Sequence, residues 1–131
     1  MIAYIETSAF LKLLISEEES EPLRSRFRAL RRGGDDVVSC RLLVTESHRA
    51  AHRIPVLDHV SVTKALRQIE LFDVDAGLFT DAAMMPGANL RSLDALHVAA
   101  ALTVSADAVL AYDTRVLQAA RSAGLVVESP R

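Results

Sequence analysis

Cysteine and aromatic residues are scarce in this 131-residue chain. Cys40 is the single cysteine, so the chain can form neither an internal disulfide nor a thiolate cage for zinc, and we interpret Cys40 as a small core residue. There is no tryptophan, and aromatic residues make up 5% of the sequence. If the partner is a nucleic acid, base stacking is therefore not the main source of affinity, and phosphate contacts must carry more of it.

Long hydrophobic runs and targeting signals are also missing. Charged residues interrupt every apolar stretch before it reaches the length of a membrane span, and the first residues resemble a strand and not a signal peptide. We therefore expect a soluble, cytoplasmic protein. The length and the 50% content of hydrophobic residues suit a single domain, residues 1–131, with a substantial core.

The formal net charge is only −2, but the charges are unevenly distributed along the chain. Residues 24–67 carry an excess of six positive charges, whereas residues 1–23 and 68–131 each carry an excess of four negative charges. A basic middle segment beside acidic flanks is typical of a polyanion-binding surface next to an acidic pocket. Solvated, arginine-rich helix faces explain the same pattern equally well, so both interpretations stay open.

Strands and helices alternate along the chain. A buried strand at Ile2–Glu6 runs into a first helix, for which Thr7 or Ser8 is the expected cap, and Ser20 is expected to cap the second helix. Such alternation predicts a three-layer α/β/α domain with four or five mostly parallel strands. The later predicted strands are 37–40, 70–74, 108–112 and 125–127; the later predicted helices include 42–53, 75–85 (capped by Asp75), 93–102 and 114–122.

Four acidic residues occupy comparable places in this pattern: Glu6, Glu46, Asp94 and Asp113. Glu6 and Asp113 follow strands, and open α/β sheets bind their ligands at the carboxyl ends of the strands. Asp94 opens a buried, alanine-rich helix, and Glu46 lies within another helix. Each has a simple structural explanation: Asp113 as a helix cap, Asp94 stabilised by the helix dipole, and Glu46 as a solvated helix residue.

Clustered carboxylates repel one another, and two remedies exist. One acid can keep its proton through a raised pKa, or a hard divalent cation can bind among the oxygens. An all-oxygen site with a nearby Thr or Ser hydroxyl suits Mg²⁺ or Mn²⁺, whereas zinc prefers histidine or cysteine. Such a site can orient a phosphodiester and activate water for its hydrolysis.

Four motifs in this chain resemble the successive motifs of PIN-domain ribonucleases, most closely those of VapC-type toxins from toxin–antitoxin pairs. They cover essentially the whole chain in the family's order and are Tyr4–Ala9, Val44–Glu46, Leu93–Ala101 and Tyr112–Leu117. The resemblance implies a PIN fold and a metal-dependent endoribonuclease.

The same resemblance implies roles for individual residues. Glu6, Asp94 and Asp113 would hold Mg²⁺ or Mn²⁺, and Glu46 would complete the site or position the attacking water. The hydroxyl of Thr7 or Ser8 would support the metal site. The family's first acid is most often aspartate, so Glu6 is a departure that bears on metal affinity and on the spacing of the ions.

Partners also follow from the resemblance: an RNA substrate, a cognate antitoxin protein and a second copy of the chain in a homodimer, with no membrane involved. Arg115, close to Asp113, is the candidate contact for RNA or antitoxin. A surface arginine on the first turn of a helix is an equally good interpretation of the same residue.

Two other functions stay open at this point. A receiver-type phosphoacceptor domain also has an acidic Mg²⁺ pocket at the sheet edge, but it needs a lysine there, and Lys12 and Lys64 lie inside predicted helices. A non-catalytic adaptor or dimerisation module would keep the fold with an altered metal site, and Glu6 is the only hint of it.

The histidines and methionines of this chain do not form a recognisable functional motif. His97 lies three residues after Asp94, yet it lacks a second histidine or cysteine at ligand spacing, so we do not interpret it as a metal ligand. His48 and His52 are expected to be exposed on a basic helix. Met84 and Met85 are expected to fill the core at a helix end.

Overall fold

The centre of the fold is a five-stranded parallel sheet in this computed structural model, which describes all 131 residues. The strands are β1 (Ile2–Ile5), β2 (Asp36–Cys40), β3 (Glu70–Phe72), β4 (Ala108–Leu110) and β5 (Val127–Glu128). Their spatial order is β3-β2-β1-β4-β5, and every neighbouring pair is parallel. The prediction of four or five mostly parallel strands is confirmed.

The central strand β1 is paired on both sides. Tyr4 lies opposite Val38 of β2 and Val109 of β4. The pairing with β4 continues one residue past the strand, because the N–H of Glu6 donates to the carbonyl of Leu110 at 3.0 Å. The carboxyl ends of β1 and β4 therefore meet at one edge of the sheet, where a parallel sheet places its ligands.

Seven helices cover the two faces of the sheet. They are α1 (Thr7–Leu14), α2 (Ser20–Arg32), α3 (Leu42–Ala51), α4 (His59–Leu66), α5 (Ala76–Ala83), α6 (Ser92–Thr103) and α7 (Thr114–Ser122). The core on one face is formed with α5, α6 and α7, and the core on the other face with α1 to α4. Tyr4 belongs to the first core and Ala3 and Ile5 to the second, as expected for a strand buried on both faces. The predicted three-layer architecture is confirmed.

Helix α6 runs through the interior, as its composition predicts. Every residue from Asp94 to Ala101 is buried, and only the apolar side chains near its ends, Leu93 and Leu102, reach solvent. The small alanine side chains allow close packing around this helix. As a result, the polar residues Asp94 and His97 are carried into the protein interior.

Two predicted helix caps are wrong. The cap of α1 is Glu6 and neither Thr7 nor Ser8: its backbone is extended, and its carboxylate accepts the N–H of Ser8 at 3.0 Å. The helix begins directly at Thr7, so the cap position falls on the acid. Ser20 is the first residue of α2 and not its cap, and its hydroxyl donates to the carbonyl of Ile15.

Other element ends agree with the sequence or differ slightly. Asp75 caps α5 as expected by accepting the N–H of Leu78 at 2.9 Å. Strand β3 ends at Phe72, before the predicted end at residue 74. Met84 does not fill the core: it ends α5 facing outward and is 79% exposed, whereas Met85 packs against the core. None of the seven helices is long and apolar enough to cross a membrane.

Candidate active site

Ser8 joins the end of β1 to the segment that follows β4. Its hydroxyl donates to Oε2 of Glu6, the oxygen that also accepts the N–H of Ser8. The same hydroxyl oxygen accepts the backbone N–H groups of Tyr112 at 2.8 Å and Asp113 at 3.1 Å. Glu6, which is only 5% exposed, and Asp113 are thereby brought to one place at the sheet edge.

Arg91, which precedes α6, connects Asp94 to Asp113. The Nε of Arg91 lies 3.3 Å from Oδ2 of Asp94, and its Nη2 lies 4.0 Å from Oδ2 of Asp113. The other oxygen of Asp113, Oδ1, caps α7 by accepting the N–H groups of Arg115 and Val116 at 2.9 and 3.3 Å. One guanidinium thus lies between two carboxylates from different parts of the chain.

Glu46 is held from the other side by a buried polar network. Its Oε1 accepts the hydroxyl of Thr7 at 2.8 Å and pairs with Nε2 of His97 at 2.5 Å. The second ring nitrogen of His97, Nδ1, lies 2.7 Å from the hydroxyl of Tyr4. The network connects α3, α6, β1 and the start of α1, and it occupies both nitrogens of the imidazole. This arrangement supports the interpretation that His97 is not a metal ligand.

The network favours the protonated form of His97. Burial acts to lower its pKa, but the neighbouring Cys40 and the hydrogen bond and charge of Glu46 outweigh burial and raise the pKa of His97 to about 10. The hydroxyl of Tyr4 can then accept the Nδ1 proton and donate to Sγ of Cys40, 3.2 Å away. Cys40 is a buried core residue, as predicted, but it also ends this chain of polar contacts.

The charges of the site influence one another. Burial raises the pKa of Glu6 above its ordinary value, and the negative charge of Glu46 adds to the rise. The charge of His97 and the hydrogen bonds from Ser8 act in the opposite direction. The two glutamates are therefore close enough to interact, and all four predicted acids belong to one connected set.

A common feature of the four carboxylates is that each keeps an oxygen without a hydrogen bond from the protein. Glu6 is anchored through Oε2, Glu46 through Oε1 and Asp113 through Oδ1. Asp94 is contacted only at Oδ2, and only by Arg91. The anchored oxygens fix the side chains, and the others remain available to a ligand.

A hard divalent cation fits this set in donor chemistry and in charge. The donors are carboxylate and hydroxyl oxygens, which Mg²⁺ and Mn²⁺ prefer. Arg91 and His97, whose pKa is raised, offset part of the negative charge of the four acids, and a divalent ion would offset more of it. No group of three or more acidic, histidine or cysteine side chains is already arranged as metal ligands, so metal binding requires side-chain rearrangement.

Sequence reasoning missed Arg91 and Tyr4 as members of the site. The spacing of Arg91 and Asp94, three residues apart at a helix start, was a signal for a contact between them. Tyr4 gave no signal, because an aromatic residue in a buried strand is ordinary core and its hydroxyl partner lies 93 residues away.

The remaining predicted residue, Arg115, is exposed on the first turn of α7. It lines a cavity of about 270 Å³ between α7 and the loop of residues 85–90. Its side chain forms no ion pair, and its role as a contact for RNA or antitoxin stays a prediction.

The other histidines are more closely arranged than expected. His52 is exposed as predicted, but His48 is half-buried, and its Nδ1 lies 2.8 Å from Nδ1 of His59. The rings of His48 and His59 stack with centroids 5.1 Å apart. The sequence spacing of His48 and His52 did not indicate this pairing with α4.

Replacing His97 by glutamine should change how stability depends on pH. A pKa raised from 6.5 to about 10 stabilises the fold fully below pH 6.5, and this contribution disappears as the pH rises through about 10. Breaking a buried pair costs roughly 3–5 kcal/mol, so we expect His97→Gln to lose about that much at pH 6 and progressively less toward pH 10. Urea unfolding of both proteins across this range measures the difference. A loss that is constant with pH would mean that His97 is neutral in the folded protein.

Comparison with known proteins places this chain among characterised relatives. Residues 3–122 match the family model described as PIN domain. Ribonuclease VapC35 of Mycobacterium tuberculosis is 32% identical, over 97% of this chain and 96% of that protein. Ribonuclease VapC47 of the same organism is 33% identical, with the same coverage.

Two solved structures share the fold of this chain. Mycobacterium tuberculosis VapC20, described as a sarcin-ricin loop cleaving toxin, superposes with a TM-score of 0.75 at 15% identity, over 98% of this chain and 99% of that one. A chain of VapBC2 from Rickettsia felis, bound to a DNA fragment from their promoter, gives a TM-score of 0.73 at 12% identity over 100% of both chains. At such identities the match shows a shared fold. With the family match and the full-length relatives, it follows that the chain belongs to the PIN-domain family, among the VapC ribonucleases.

Proposed function

We propose that this protein is a Mg²⁺- or Mn²⁺-dependent endoribonuclease and the toxin of a type II toxin–antitoxin pair. The observation that carries the proposal is the set of four carboxylates at the carboxyl edge of the sheet, each anchored through one side and keeping an oxygen for a ligand. The full-length relatives named Ribonuclease VapC support RNA as the substrate.

The proposed roles follow from how each acid is held. Glu6, Asp94 and Asp113 hold the ion, which when bound supplies an activated water and stabilises the charge on the leaving oxygen. Glu46 is fixed through Oε1 by Thr7 and His97, so its Oε2 completes the site or orients the attacking water. Ser8 and Thr7 support the site by orienting the two glutamates.

The proposed RNA contacts are made mainly to phosphates. Arg115 is exposed, two residues after Asp113, and has no acidic partner of its own, so its guanidinium can bind a phosphate next to the acids. With few aromatic side chains in the chain, phosphate contacts supply more of the affinity than base stacking does.

The position of Lys12 argues against the receiver-type alternative. Its ammonium pairs with Glu17 at 2.5 Å and Glu19 at 3.0 Å, beyond the end of α1. Lys64 lies on α4 and lines a different groove. Neither lysine is placed to serve an acidic phosphoacceptor pocket. The non-catalytic alternative differs from our proposal in predicting neither metal binding nor cleavage.

A groove between α1, α2 and α4 suits the proposed antitoxin. It has a volume of about 390 Å³, an apolar floor that includes Leu13, Leu14 and Phe27, and basic residues Arg24 and Lys64 among its lining. An amphipathic helix with acidic flanks complements such a groove. The substitution Lys64→Glu reverses a charge at an exposed position of the groove, so it should weaken co-purification of the co-expressed antitoxin while the fold is retained; unchanged co-purification would place the antitoxin elsewhere.

We also propose a homodimer. Phe79 and Met84 of the α5 region and Leu93 at the start of α6 are large apolar side chains, each about half exposed or more. Such side chains are more readily explained by a partner surface than by contact with water. Light scattering on the purified protein distinguishes a dimer from a monomer.

Asp94→Asn should remove metal-dependent RNA cleavage. The variant keeps the shape of the side chain but loses the charge that would hold the ion, and a loss of several kcal/mol of transition-state stabilisation corresponds to at least ~100-fold in rate. The assay is incubation of purified protein with total RNA in Mn²⁺ or EDTA, followed by mapping of new RNA ends. Asp81→Asn, on the exposed side of α5, is the matched control and should cut normally. Equal cleavage by both variants, or cleavage in EDTA, would contradict the proposal.

Substitutions of Glu6 test the departure from the usual aspartate. Glu6→Ala removes a ligand and the cap of α1 and should lose cleavage, whereas Glu6→Asp keeps a carboxylate and should retain measurable Mn²⁺-dependent activity. Cleavage rates over a range of Mn²⁺ concentrations separate weakened metal affinity from lost chemistry. If Glu6→Ala cuts as well as the unaltered protein, Glu6 is not part of the active site.

A further inference from the structure

Arg91 occupies the position between two acids that a cation would take. Its guanidinium is the only positive group in contact with Asp94 or Asp113, and both contacts are made to Oδ2 atoms. Oδ1 of Asp113 is committed to the N–H groups that begin α7, so Oδ2 is the oxygen that this residue can offer to any ligand. The arginine therefore faces the same oxygen that a metal ion would need.

The contacts of Arg91 are easily exchanged. The distance of 3.3 Å to Asp94 is long for a charge-assisted hydrogen bond, and 4.0 Å to Asp113 is too long for any hydrogen bond. The Arg91 side chain is 63% exposed and follows the surface loop of residues 86–90, so it can turn into solvent without disturbing packed groups. By contrast, the ring of His97 is buried and contacted at both nitrogens, and the hydroxyl of Ser8 makes three hydrogen bonds.

We propose that Arg91 competes with the divalent cation for this site. Its guanidinium offsets the negative charges of Asp94 and Asp113 until the ion displaces it. This inference rests on the proposed metal-dependent function, and it adds a regulatory property to that site. The arginine limits the repulsion between the two aspartates in the metal-free protein. It also raises the metal concentration that is needed to fill the site, because its contacts must be lost first.

Calorimetric titration with Mn²⁺ at 0.15 M salt tests the competition directly. Arg91→Gln should bind Mn²⁺ roughly two- to fivefold more tightly than the unaltered protein, the factor that corresponds to losing a competing exposed ion pair. Arg91→Lys keeps a charge but cannot bridge two carboxylates with one planar group, so its affinity should lie between the two.

Arg121→Gln is the matched control. It removes the same charge from an exposed position in the last turn of α7, seven residues after the helix begins at Thr114 and so about 10 Å along the helix, and its side chain forms no ion pair. That separation exceeds the Debye length of about 8 Å at this salt concentration, so the Mn²⁺ affinity of the variant should stay close to that of the unaltered protein. An equal gain in Arg121→Gln and Arg91→Gln would reduce the effect to general charge and overturn the proposal.

Thermal unfolding supplies a readout that does not depend on activity. In EDTA, Arg91→Gln should melt at a lower temperature than Arg121→Gln, because the two aspartates then repel each other without compensation. On addition of Mn²⁺, the melting temperature of Arg91→Gln should rise by more than that of the unaltered protein. Equal melting behaviour of the two variants in EDTA would contradict the balancing role.

The outcomes separate this inference from the proposed function. If the unaltered protein binds Mn²⁺ and Arg91→Gln binds it equally or more weakly, the competition is overturned while the metal site stands. If neither protein binds Mn²⁺, the proposed metal-dependent function fails, and the role of Arg91 fails with it.

Discussion

The groups at the carboxyl edge of the sheet are arranged under one constraint, which is the repulsion among four carboxylates. Glu6, Glu46, Asp94 and Asp113 converge where two parallel strands end, and two of them are almost fully buried. Each carboxylate is stabilised by a different group: the hydroxyl and N–H of Ser8 at Glu6, the His97 imidazole and a hydroxyl at Glu46, a helix N-terminus at Asp113 and a guanidinium at Asp94. Arg91 and His97 offset part of this negative charge, and in the proposed function a divalent cation would offset more of it.

The same side chains serve the fold and the site. Glu6 both caps α1 and belongs to the set of four acids, and Ser8 both orients Glu6 and satisfies two backbone N–H groups after β4. His97 links α6 to α3 through Glu46 and to β1 through Tyr4. Because these connections are buried and hydrogen-bonded, they hold the acids in position more firmly than surface contacts would. Arg91 differs from them, because its side chain is exposed and its contacts with Asp94 and Asp113 are long.

Much of the fold could be predicted from local patterns, and much of the site could not. The alternation of apolar strands with amphipathic helices predicted the layers and the parallel sheet, and strand ends followed by acids predicted where the acids meet. Element ends were less well determined, because whether a helix begins at Thr7 or one residue later depends on which side chain reaches the N–H groups. Met84 was misplaced for a similar reason: an apolar residue at a helix end can face either way, and packing decides.

The sequence by itself determined the class of this domain, the four acids and the hydroxyl pair beside the first of them, because these depend on residue type and on spacing along the chain. Only the tertiary structure decided which groups offset the negative charge of the acids. The partners of His97 lie 51 and 93 residues away, and Arg91 reaches Asp113 across 22 residues of α6 and β4. Those contacts arise because β1 pairs with β4 while α6 crosses the interior, a geometry that no local pattern encodes.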